Sequence, residues 1–147
     1  MLFAIGLRTA AAAAGASRGI AIDSTAAAIE WTPVVDGDND GLRRADLRAG
    51  RDIALGPPRN VSRNYLRVIV GLPPGVRTPT GGTAPADGIA FGRGDLLSLS
   101  ADGTATSGSL YLQNRFGDAV AVRVYGATAR FSLWRRRQTD GVWRRRW

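Results

Sequence analysis

Gly88–Arg136 reads GIAFGRGDLLSLSADGTATSGSLYLQNRFGDAVAVRVYGATARFSLWRR, and its rhythm restricts the fold more than any other stretch. Apolar and polar residues alternate in short runs that Gly- and Asp-bearing turns interrupt, the pattern of consecutive antiparallel strands. Leu97 and Leu99 share one side, as do Leu110 and Leu112, then Val120, Val122 and Val124, then Phe131 and Leu133. Successive side chains of a strand point to opposite faces, so each run offers one apolar stripe to a common core. The stretch reads as scaffold rather than as a catalytic constellation.

The remaining segments attach to that scaffold. Leu2–Ala16 holds the alanine run Ala10–Ala14 without proline and is expected as a helix, stopped by Gly15 or Gly19. Leu2, Phe3, Ile5 and Leu7 give it an apolar stripe to lay on a sheet; a helix this short needs such packing. Gly19–Asp23 and Ala28–Val34 predict a hairpin around Ser24–Ala27, with Pro33 marking an edge or a strand end. Ile53–Leu55 predicts a short strand and Tyr65–Val70 a clear one. Gly71–Gly88, with four of the seven prolines, predicts a long surface loop. The expected fold is α+β, a short N-terminal helix packed on roughly seven or eight antiparallel strands, within one domain of 147 residues.

Composition narrows the chemistry. The chain has no Cys and no His, so disulfides, Ser-His-Asp, Cys-His and His-metal arrangements are excluded. All twenty basic residues are Arg, a usage that a G- and C-rich genome would also produce. The net charge of +8 is uneven: residues 135–147 carry six Arg against one Asp. Met1–Leu7 is apolar but Arg8 ends the run far short of the roughly 20 residues a spanning helix needs, and the charge is misplaced for a secretory signal. The chain as written is expected to be soluble.

Three candidate sites emerge. Asp36, Asp38, Asp40 and Gly41 form D-x-D-x-D-G, the first half of a calcium loop. The twelfth position is Leu47 where a carboxylate is needed, Asp46 falls one residue early, and Arg43 and Arg44 add positive charge. The competing reading is a hairpin loop in which Asp and Asn cap their own backbone. Arg135, Arg136, Arg137, Arg144, Arg145 and Arg146, with Trp134, Trp143 and Trp147, fit a nucleic-acid or anionic membrane surface, or a solvated tail after a frayed last strand. Asp95 and Asp102 sit beside Gly in GRGD and SADG, where Asp commonly bonds local backbone, and no partner for acid-base work can be named. Gly92 and Gly94 lack the strand-then-helix setting of a phosphate-binding loop.

Taken together, these motifs resemble the GspH/FimT-type pseudopilins, minor components of type II secretion systems and type IV pili. The resemblance rests on Phe91, the turn Ser100–Gly103, the strand Gly108–Leu112, the turn Asn114–Gly117, Ala121–Val124 and Thr128–Arg130. Upstream it includes Val35–Gly41, Gly56-Pro57-Pro58 and Gly71–Pro74. The family has Thr-Gly-Arg where this chain has Thr128-Ala129-Arg130. Its members begin with a prepilin peptidase site and a long apolar anchor helix, of which Leu2–Ala16 would match only the end. The resemblance therefore implies a pilin-like head without its anchor: residues 1–18 the remnant of the helix, 19–136 the head and 137–147 an Arg/Trp-rich tail. It implies a non-enzymatic structural role among sister pseudopilins or pilins at the inner membrane and periplasm, with Val35–Asp52 and Gly71–Gly88 as exposed surface. No small-molecule substrate is expected, and no cofactor unless Asp36–Asp40 takes calcium. The alternative function is an anionic-surface module, DNA or membrane, using the basic C-terminus.

Overall fold

The computed structural model of the chain describes residues 11, 13–24, 29–60 and 68–147. In chain order its elements are β1 (Arg18–Ser24), β2 (Ile29–Val35), the helix α1 (Arg44–Ala49), β3 (Ile53–Ala54), β4 (Arg59–Asn60) and β5 (Val68–Val70). Then come β6 (Ile89–Phe91), β7 (Leu96–Leu99), β8 (Gly108–Asn114), β9 (Ala119–Tyr125), β10 (Arg130–Arg136) and β11 (Trp143–Arg145).

The strands make two antiparallel sheets. In the first, the order is β3-β2-β1-β7, with β4 also beside β2. The β1–β2 hairpin sets Arg18 opposite Val35 and Ile22 opposite Trp31. β3 pairs with Val34 and Val35, β4 with Glu30 and Trp31. Pro33, which cannot donate a ladder bond, falls at the break between these two short strands. In the second sheet the meander β8-β9-β10-β11 is regular, and β5 and β6 lie end to end along the other edge of β8. Leu110 pairs with Val122 and Val122 with Leu133, the registration that their alternation predicts.

The two sheets bury their apolar stripes against each other. Ile20, Ile22, Ile29 and Leu97 of the first meet Ile89, Phe91, Leu110, Leu112, Val124 and Phe131 of the second. Leu99 and Ala129 close one end. The outer face of the first sheet, with Ala21, Val34 and Leu96, is covered by Leu42 and Leu47, the latter on α1. Arg44 fastens that helix down: Nε donates to the Gly94 carbonyl and Nη2 to the Ile22 carbonyl, each at 2.6 Å. Gly50, at φ +73, takes the left-handed position that ends α1.

The expected α+β fold with a packed N-terminal helix is corrected by this arrangement. The described residues are mostly antiparallel strand, and α1, six residues long, is the only α-helix whose full extent they contain. The reason is one of packing. Strand side chains of the two sheets meet in the core, and α1 covers the outer face of the first sheet through Leu47. Of Leu2–Ala16, residues 1–10 and 12 lie outside the described residues. Ala11, Ala13 and Ala14 are helical, and Gly15 at φ +64 turns the chain toward β1. Likewise Ser24–Ala27 and Tyr65–Val70 fall partly outside the described residues; Val68–Val70 is β5. Among the described residues no helix is long and apolar enough to cross a membrane.

The outer face of the second sheet is also buried. Register places Tyr111, Ala121, Trp134, Arg136 and Trp143 on that face. Tyr111, Ala119, Ala121 and Ser132 are all buried there. The loop 71–88 is tethered at both edges of this sheet. Both its ends bond to the Tyr111 peptide on β8, and its Arg77 carbonyl accepts from Trp143 Nε1 at 2.8 Å on β11, at the far edge.

Candidate functional site

The Asp36–Asp40 loop leaves β2 just after Val35. Asp36 is buried, and its two carboxylate oxygens accept from the backbone N–H groups of Asn39 at 2.8 Å and Gly41 at 2.9 Å. Those bonds hold Asn39 and Gly41 in left-handed conformations, φ +62 and +96. Asp38 accepts from the Asp40 amide at 3.4 Å. The carboxylates of Asp36, Asp38 and Asp40 can bring one oxygen each within 4.8 Å of the others, and they are the residues that would hold a hard cation. Two guanidiniums already sit there: Arg43 pairs with Asp40, and Arg51 Nε lies 3.7 Å from Asp38. Leu47 is turned to the sheet rather than to the loop. Asp36 and Asp38 thus cap local backbone, while the Asp40 carboxylate is held by the Arg43 side chain.

Two further carboxylates organise this corner. Asp46, almost fully buried on α1, pairs with Arg51, and that pairing raises the Arg51 pKa above its ordinary value. Asp52 accepts from the amides of Gly37 at 3.3 Å and Arg43 at 3.0 Å, closing the excursion from β2 to β3. Neither carries a local sequence mark, because their partners lie up to fifteen positions away.

The basic C-terminus is a strand, not a loose end. Arg135 lies opposite Arg144, Arg136 opposite Trp143 and Trp134 opposite Arg145. Alternation thus sends Arg135 and Arg144 to one face of the second sheet, and Arg136, Trp143 and Arg145 to the other. Arg137 is in the turn, and Arg146 and Trp147 follow β11. Arg144 pairs with Asp140 at 2.6 Å; Arg136 and Arg145 donate to the carbonyls of Gly141 and Trp147. Trp134 donates to Ser132 at 3.2 Å and Trp143 to Arg77. These two indole N–H groups tie side chains and loop to the sheet. The basic residues on β10 and β11 are thus split over two faces. Charge is nevertheless segregated along the chain: residues 61–147 hold thirteen Arg and five Asp, whereas residues 1–60 hold seven Arg against seven acidic groups.

The turn carboxylates behave locally. Asp102 accepts from the Thr104 amide at 2.9 Å and hydroxyl at 2.7 Å, and these bonds hold its pKa below the ordinary value. Asp95 is pushed the other way, first by burial and then by Asp87, with the Phe91 amide opposing. Among the described residues, one cleft is lined by Val68, Leu112, Asp118, Val120 and Arg135, another by Leu42, Arg44, Phe91, Arg93 and Thr106. Neither places a nucleophile beside a base. No family model, no curated protein and no solved structure matches the chain.

Proposed function

We propose that the chain is an assembly subunit, of the minor pseudopilin kind its strand motifs resemble. It acts through contacts with sister subunits of a type II secretion pseudopilus or type IV pilus and catalyses nothing. The observation that carries this is an apolar strip at the edge of the first sheet. Ile53 on β3 and Leu55 just after it are 53% and 47% exposed, and the Leu55 amide donates to the Pro33 carbonyl. Ile53 lies opposite Val35, on the core-facing side but beyond the cover of the second sheet. Apolar side chains beside a strand edge are a liability in a lone molecule and a natural contact in an assembled one.

The chain contains no cysteine, so Leu55→Cys supplies a unique cross-linking handle. Co-expressed with the sister pseudopilins of a secretion or pilus system, this variant is expected to cross-link to one of them. Ile53→Glu with Leu55→Glu is expected to abolish co-purification while leaving the melting temperature unchanged. Partner capture that survives the double substitution would remove the proposal.

A further inference from the structure

The second sheet ends in two hairpin tips that are locked together and project apolar side chains. The β8–β9 tip is shaped by Asn114, whose Oδ1 accepts from the Phe116 and Asp118 amides at 2.9 and 3.0 Å. The β10–β11 tip is tied to it where the Gln138 amide donates to Asp118 Oδ1 at 2.9 Å. Phe116 and Val142 are 64% and 50% exposed on these tips, and Ile69 on β5, opposite Gln113 at the same end of the sheet, is also exposed. The Arg115 guanidinium rides 4.6 Å from the centre of the Phe116 ring.

The acids at this end are used internally. Asp118 accepts from Gln138, while Asp140 accepts from the Val142 amide at 3.1 Å and pairs with Arg144. None of the ion pairs among the described residues involves Arg115 or Arg137. The tips therefore present exposed apolar groups flanked by cations, on the half of the chain that holds all the net charge.

We propose that these two tips dock on an anionic lipid surface. Phe116 and Val142 enter the boundary between headgroups and acyl chains, and Arg115 and Arg137 meet the phosphates. A nucleic acid is the weaker fit, because it would leave Val142 and Ile69 without an apolar partner. The site shares no residue with the β3 strip, so either proposal can fail alone.

The test is co-sedimentation of the full chain with vesicles of phosphatidylglycerol and phosphatidylcholine, against phosphatidylcholine alone and against a single-stranded oligonucleotide. Binding is expected only to the anionic vesicles. Phe116→Ser with Val142→Ser, both exposed and so tolerable to the fold, is expected to weaken it at least about tenfold. Arg115→Gln and Arg137→Gln are each expected to weaken it about fivefold and to flatten its salt dependence. Failure to sediment with anionic vesicles, sedimentation unchanged by the double serine variant, or preferential binding of the oligonucleotide would each overturn the proposal.

Discussion

Gly71 and Gly88 bracket a seventeen-bond excursion yet meet at one peptide: the Gly71 amide donates to the Tyr111 carbonyl, and the Gly88 carbonyl accepts from the Tyr111 amide, both at 2.8 Å. β5 and β6 are thereby parts of one interrupted edge, with the loop 71–88 emitted from the gap. The closure needs glycine twice. Both residues have left-handed φ, +99 and +70, and a Cβ on Gly88 would overlap the Gly71 backbone nitrogen. Gly88→Ala is expected to cost roughly 2–4 kcal/mol, combining the left-handed penalty with a clash against backbone that cannot swing away. In a chain of this length that lowers the melting temperature by about 5–15 °C. A melt within a degree or two of wild type would show that the pinch can open cheaply.

Trp143 holds the far side of the same loop through its bond to the Arg77 carbonyl. Trp143→Phe retains most of the apolar ring and deletes the donor, so the global loss is expected to be only about 1 kcal/mol. The effect is expected to be concentrated in the loop. Amide hydrogen exchange should speed up over residues 74–82 and at Tyr111, while β9 and β10 amides keep their protection. Uniform acceleration across the second sheet would mean that Trp143 supports β11 rather than the loop.

These two glycines and this indole also mark how far sequence reading reached. Strands β8, β9 and β10 were legible because Leu110/Leu112, Val120/Val122/Val124 and Phe131/Leu133 alternate with period two. Their other faces were not. Ala119, Ala121 and Ser132 look like solvent positions, yet all three are buried. Burial of that face comes from segments distant in sequence, which no local pattern announces. Likewise the turn chemistry of D-x-D-x-D-G was readable, since Asp36 caps Asn39 and Gly41 within five positions. The buried partners Asp46 and Asp52, and the six-residue helix that carries Asp46, were hidden in what reads as a polar excursion. Ala129 is a related case. It stands where the resembled family has Gly, and the structure places it at φ +46, a left-handed position whose methyl is buried beside Leu99.

The Asp36 carboxylate gives a test that separates capping from metal binding. Asp36→Ala leaves the Asn39 and Gly41 amides without their acceptor and is expected to cost about 1–2 kcal/mol, whereas Asp36→Asn, which retains one acceptor oxygen, should lose less. If the loop bound calcium with a dissociation constant of about 10 μM, 1 mM calcium would stabilise the wild type by about 2.7 kcal/mol. Because Arg43 and Arg51 already occupy Asp40 and Asp38, the expected shift with calcium or chelator is nil. A calcium-dependent rise that disappears in Asp36→Ala would establish the loop as a cation site.

Asp95 supplies the clearest pH dependence. It occupies a left-handed position, φ +48, and its carbonyl accepts from the Ile22 amide at 2.9 Å, so its place between β6 and β7 is fixed by backbone. Burial, with Asp87 adding repulsion, raises its folded pKa above the ordinary carboxylate value. A raised folded pKa means that the folded chain holds this proton more tightly than the unfolded chain. Its contribution is therefore fully present below the ordinary carboxylate pKa and is lost as pH rises through the folded value. Asp95→Asn removes that loss while keeping an oxygen for the Phe91 amide and a residue type that tolerates left-handed φ. The variant is expected to match wild type at low pH and to become more stable above it. The plateau should be under about 1 kcal/mol, because much of the carboxylate remains in contact with water, which screens its interactions. Denaturant titrations of both proteins across the carboxylate range would measure the difference. A stability gap that stays constant with pH, or that opens in favour of Asp95 above the carboxylate range, would show that Arg44 rather than burial governs this group.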